Sequence, residues 1–102
     1  MIVIDKNAGT KIPFEVQGTV INFDDELSLN LKKLQRDDPV HKDVCYDEYG
    51  DLCVGAAAGR AYVAEIDIPA REYVTTGEGE DAQTEPVPLD MDKVTLTLWA
   101  ID

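Results

Sequence analysis

The feature that most narrows the folds open to this chain is a hydrophobic period of two. In AYVAEIDI, residues 61 to 68, Tyr62, Ala64, Ile66 and Ile68 alternate with Val63, Glu65 and Asp67. In VTLTLWAI, residues 94 to 101, Val94, Leu96, Leu98 and Ala100 alternate with Thr95, Thr97, Trp99 and Ile101. Successive side chains of an extended chain point to opposite faces, so both runs predict strands that bury one side, and they are read as a long antiparallel pair. Pro69 has no N–H to give a ladder, so it marks a break before REYV resumes pairing.

The same period governs Ile12 to Leu34. Ile12, Phe14, Val16 and Val20 alternate with polar or small residues, as do Leu27, Leu29 and Leu31. A turn at Asp24-Asp25 would set Val20 opposite Leu29, Asn22 opposite Leu27 and Gly18 opposite Leu31 on one ribbon. The alternation changes phase at Lys32-Lys33, where a bulge or sharp bend is expected. A helix over Asp25 to Leu34 is the rival reading, set aside because Leu29 falls off its apolar stripe.

Between these regions lies VCYDEYGDLCV, residues 44 to 54. Asp47-Glu48-Tyr49-Gly50 fits a type I turn followed by a left-handed glycine, the three-residue hairpin loop with a glycine bulge. That register sets Asp47 opposite Asp51, Tyr46 opposite Leu52 and Cys45 opposite Cys53. Opposed residues lie within disulfide range, so Cys45 and Cys53 could bond if oxidised, but in a reducing compartment two thiols are expected. A closed zinc site would need four nitrogen or sulfur ligands, and Cys45, Cys53 and His41 supply three without resort to a carboxylate.

Residues 75 to 92, TTGEGEDAQTEPVPLDMD, hold two glycines, two prolines, six acids and no base, and are read as a mobile acidic loop. Met1 to Asp5 is expected to add a short strand, and CVGAAAGRA is ambiguous between helix and turn. The fold class that results is mainly β: one domain over residues 1–102, a small antiparallel barrel or twisted two-layer sheet of about five to seven strands with at most a short helix.

Charge restricts the functional classes. With 21 acids against 9 bases the net charge is -12, a field that repels nucleic-acid backbones and anionic membrane surfaces and attracts basic proteins. No segment approaches the ~20 apolar residues of a membrane span, and the apolar start stops at Asp5, so neither a membrane anchor nor a signal peptide is read and a cytoplasmic location is expected. By size and charge alone the chain sits with small acidic accessory proteins of bacteria and their phages.

Catalytic motifs are sparse. His41 is the single histidine, in RDDPVHKD, where Pro39 and the charges predict an exposed loop. A nucleophile relay would need Ser28 or a cysteine beside it, and no local pattern provides that. Neither phosphate-cradling glycine motif is present in a strand-helix context, and GEGE lies among acids. The acid clusters at Asp24-Asp25-Glu26, Asp37-Asp38, Asp47-Glu48 with Asp51, and Asp90 with Asp92 do not follow the calcium-loop pattern and read as solvated turns.

No catalytic residue, cofactor or metal is expected. The expectation is a protein-protein interaction or assembly module, able to form a homo-oligomer or to meet a basic partner. Its surface would combine Trp99, Ile101 and Val63 with the loop acids Glu78, Glu80, Asp81 and Glu85. The alternatives are an acidic decoy that blocks a nucleic-acid-binding protein, and a weak cation-binding module.

Overall fold

The computed structural model describes residues 1–55 and 61–101. Its strands are β1 (Ile2–Asp5), β2 (Phe14–Gln17), β3 (Val20–Phe23), β4 (Leu27–Asn30), β5 (Val40–Tyr46), β6 (Leu52–Val54), β7 (Ala61–Ile68), β8 (Tyr73–Thr76), β9 (Gln83–Pro86) and β10 (Thr95–Leu98). One helical turn, α1 (Leu31–Leu34), follows β4. Ten described strands exceed the expected five to seven, and they form three sheets instead of a closed barrel. Most of the ambiguous CVGAAAGRA stretch lies outside the described residues.

The principal sheet runs β1-β10-β7-β5-β6, antiparallel throughout except that β1 lies parallel to β10. A second sheet, β2-β3-β4, contributes Ile21 and Phe23 to the core, joined by Ile12 and by Leu31 of α1. These pack into one cluster with Val44, Ala64, Ile66, Ile68, Leu96 and Leu98 of the principal sheet and with Val94 just before β10, all buried. The body is thus the two-layer arrangement that period-two strands require, one face wet and one face buried. The side chain of Gln35, buried among them, donates to the Pro69 carbonyl at 3.1 Å, which satisfies its amide.

The expected ribbon from Ile12 to Leu34 is corrected in two places. First, Gly18, at φ 59°, and Thr19 form a two-residue turn that splits the run into β2 and β3, so Gly18 does not face Leu31. Second, Glu26 joins Asp24 and Asp25 in the next loop, and Phe23 pairs with Leu27, Ile21 with Leu29, Val20 with Asn30. Asp24 and Asp25 both take positive φ, 52° and 54°, and Asn22 Oδ1 accepts the Asp25 N–H at 2.9 Å. Short polar side chains tolerate that conformation. In the observed register Ile21 and Phe23 are buried, while Val16, opposite Ile21 on the edge strand β2, stays exposed. The phase change after Leu31 is real, and α1 is its cause.

Elsewhere the registers agree with expectation. Cys45 pairs with Cys53 and Tyr46 with Leu52, and Gly50 sits at φ 79°. Asp47 Oδ1 accepts the N–H of Tyr49 at 2.8 Å and of Asp51 at 3.0 Å, fixing the loop. The pair β7 and β10 is antiparallel, Leu96 opposite Ile66, and β7 ends immediately before Pro69.

The acidic segment 75–92 is not a bare loop. Its first half pairs with itself as the hairpin β8-β9, Thr75 opposite Thr84 with their hydroxyls 3.0 Å apart. The tip turns at Gly77, φ 89°, where a Cβ would lie 2.7 Å from the Asp81 carbonyl oxygen, so no larger residue fits. The acids of this segment lie in full solvent contact, where screening weakens their mutual repulsion. Every residue of β8 and β9 is exposed, and the molecule is 58 Å long and 22 Å across. Its radius of gyration, 16.5 Å, exceeds the ~13 Å of a compact chain of this length.

Candidate functional site

Two surfaces hold chemistry the core does not use: the open face of the principal sheet, and the hairpin arm. On the open face β5 and β7 set His41 opposite Asp67 and Asp43 opposite Glu65. His41 Nδ1 lies 2.6 Å from Asp67 Oδ1, while Nε2 lies 2.7 Å from Asp43 Oδ1 and 3.5 Å from Glu65 Oε1. Both ring nitrogens meet carboxylates, which a protonated imidazole satisfies by donating from each. The hydrogen bond to Asp67 raises the His41 pKa most, partial burial opposes it, and Asp43 raises it further.

This placement corrects the loop expected around His41: the residue is in strand β5, and Pro39 only precedes it. It also corrects the zinc set considered with Cys45 and Cys53. Among the described residues the donors that converge are His41, Asp43 and Glu65. Ser28 is elsewhere, accepting from Asn22 Nδ2 at 2.7 Å.

Beside the quartet, Trp99 stacks on Tyr62 with ring centroids 5.2 Å apart, and Lys6 Nζ lies 5.4 Å from the indole centroid. The Trp99 Nε1–H donates to Glu65 Oε2 at 2.8 Å. Trp99 is therefore half-buried and engaged on this sheet, not a free apolar anchor. Ile101 is half-buried against the core, and its N–H donates to the Thr10 carbonyl.

Val63, expected on the outward face, is fully buried. The reason is a bulge: Val44 pairs with Ala64 but Cys45 with Tyr62, so Val63 is the extra residue and the phase of β7 reverses there. Tyr62 consequently joins Cys45 on the open side, where the charge of Asp43 pushes its phenol pKa up.

Both cysteines are free, Cys45 buried and Cys53 half-buried. Burial pushes the Cys45 thiol pKa up, and the charge of Asp43 and the presence of Cys53 and Glu65 add to it. Thiolate is the reactive form. Iodoacetamide is therefore expected to label Cys53 roughly tenfold faster than Cys45 at mildly alkaline pH, read by peptide mass spectrometry; equal rates would contradict the burial.

The acids Glu78, Glu80, Asp81 and Glu85 all lie exposed on the arm. The arm is anchored at its base. Tyr73 Oη donates to Asp37 Oδ1 at 2.6 Å, Arg71 reaches the same oxygen at 3.4 Å, Val87 N–H donates to the Glu72 carbonyl at 2.8 Å, and Lys93 pairs with Glu72 at 3.4 Å. Asp37 thus has a structural task. So do Asp47, in its hairpin loop, and Asp90, whose Oδ1 accepts the Asp92 N–H at 3.0 Å.

A third feature is the short strand expected over Met1 to Asp5, whose exposure was not foreseen. In β1, Ile2, Val3 and Ile4 are about half exposed on the edge of the principal sheet, at 51%, 47% and 47%. The sequence signals the strand but not its exposure, since IVI reads as core on either face.

No protein-family model matches this sequence, and comparison with curated proteins and with solved structures finds no match in either set. No helix among the described residues is long and apolar enough to cross a membrane.

Proposed function

We propose that this chain is a non-enzymatic assembly module that engages another protein through the β8-β9 arm. One observation carries the reading: the arm is a two-stranded hairpin that, among the described residues, forms a sheet of its own and exposes all eight strand residues. Such a ribbon is marginally stable alone in water, and docking on a partner would supply the burial it lacks. Tyr73 and Val74, 49% and 47% exposed, offer apolar contact. Residues 73–86 carry four acids and no base, which suits a partner with a basic surface around an apolar pocket.

The decoy reading is weaker on charge density. A net -12 along 58 Å is one charge per roughly 5 Å, against one per 1.7 Å in duplex DNA.

The test compares the full chain with a variant whose residues 74–85 are replaced by Asn-Gly, each immobilised and exposed to extract at rising salt. Proteins retained by the full chain at about 0.5 M salt, where screening leaves roughly 4 Å of reach, and lost with the arm would support the proposal. Identical retention by both baits would sink it, and release of every protein by moderate salt would favour the decoy.

A further inference from the structure

The open sheet face carries an electrostatic imbalance that no described side chain corrects. Asp43 and Glu65 are direct cross-strand neighbours and Asp67 lies one pair along, so three carboxylates share one imidazole. Like charges directly opposite on a sheet destabilise it. Among the described residues no lysine or arginine pairs with any of the three. With His41 protonated the quartet still bears two net negative charges.

The donor spacing suits a metal ion. The His41 Nε2, an oxygen of Asp43 and an oxygen of Glu65 lie within 4.8 Å of one another. Metal bonds of about 2.0–2.1 Å put neighbouring donors about 2.9 Å apart in an octahedron and about 3.4 Å apart in a tetrahedron. The two spacings from Nε2, 2.7 and 3.5 Å, bracket those values. Two of the three ligands, His41 and Glu65, are also oriented from behind. Asp67 accepts from Nδ1, which leaves Nε2 as the ligating nitrogen, and the Trp99 indole, a residue outside the acid group, holds the far oxygen of Glu65 at 2.8 Å. A carboxylate behind the histidine and a donor behind the ligating carboxylate are the supports that metal ligands ordinarily require.

We propose that His41, Asp43 and Glu65 form a binding site for a first-row divalent transition-metal ion, with Asp67 and Trp99 as positioning residues. On binding, Nε2 releases its proton to solvent and gives its lone pair to the ion, and the two carboxylates neutralise its charge. One nitrogen and two oxygens favour zinc, cobalt or manganese over calcium or magnesium, which prefer oxygen alone. The site faces solvent, so the remaining positions go to water, as in an open rather than a closed site. This inference rests on the sheet face and is independent of the arm.

The experiment is calorimetric titration of the chelator-treated full chain with Zn²⁺, repeated with Co²⁺ while recording its visible absorption. One equivalent should bind saturably. His41→Ala and Asp43→Asn should each weaken binding at least tenfold, and Trp99→Phe, which keeps a ring on Tyr62 but loses the indole N–H, should weaken it roughly 10-fold to 100-fold. Circular dichroism on each variant separates loss of the site from loss of the fold; since His41 is half exposed, its variant is expected to fold. Binding that is unsaturable, or unchanged by His41→Ala, would overturn the proposal. So would zinc binding that survives His41→Ala but is lost in Cys53→Ser, which would place the ion on the thiol pair.

Discussion

Replacing Phe23 with alanine is expected to lower the unfolding free energy by about 3–5 kcal/mol, read as a fall in the urea midpoint at unchanged slope. Phe23 is fully buried in the middle strand of the small sheet, opposite Phe14 on one side and Leu27 on the other. It packs in the same cluster as Ile66 and Leu96 of the principal sheet, so its ring joins the two layers. Truncation removes the ring's transfer free energy and leaves a cavity that two hydrogen-bonded sheets cannot easily close. A domain of this size is typically stable by about 5–15 kcal/mol, so the variant would sit near its limit. Val16→Ala, at a 40% exposed position one strand away, is the control and should change stability by less than about 0.5 kcal/mol. A Phe23→Ala loss below about 1 kcal/mol would mean that the small sheet does not share the core.

Phe23 also shows where sequence reading stops. Alternation identified the strands on both sides of Asp24-Asp25, but alternation is blind to a shift of one residue, and the shift decides which face is buried. Whether Glu26 belongs to the strand or the loop depends on two aspartates adopting positive φ, a choice stabilised by the Asn22 side chain and invisible to hydrophobic pattern. The DEYG hairpin was legible for the opposite reason. A glycine at the left-handed position and an aspartate able to cap the loop specify the turn chemically, and with it the Cys45–Cys53 register.

The quartet on the open face was not legible, though all of its residues were. His41 and Asp43 are two apart, as are Glu65 and Asp67, which is the signature of one face on each strand. Nothing local reports that β5 and β7 are neighbours in the register that sets the two pairs together. Pro39 and the surrounding charges also biased the reading of His41 toward loop. Pairing after Pro69 was expected at REYV, which holds the start of β8, but the return strand β9 was missed because the composition there, rich in glycine and acid, describes the tip better than the strands. Thr75, Thr84 and Val74 pair well enough to close the ribbon around that tip.

An aspartate introduced at Val63 is expected to abolish folding, whereas one introduced at Val74 is expected to leave stability within about 0.5 kcal/mol. Period two alone places Val63 on the wet face with Glu65 and Asp67, where Val63→Asp would be tolerated. The bulge instead turns Val63 into the core at 0% exposure, with its carbonyl held by the Trp99 N–H at 3.0 Å. A carboxylate there would lose the burial of a valine, about 1.5–3 kcal/mol, and would add the cost of an unpaired buried charge or of protonating it, several kcal/mol more. Together these approach the whole stability of the domain. Val74, on the arm, makes no such contact with the core. Its replacement by aspartate should leave far-ultraviolet circular dichroism and the thermal midpoint near those of the parent while weakening retention of the partner at high salt, because the arm then offers charge where it offered apolar surface. If Val63→Asp folds with a native midpoint, the bulge is misplaced. If Val74→Asp binds as well as the parent at high salt, the contact does not run through that side of the arm.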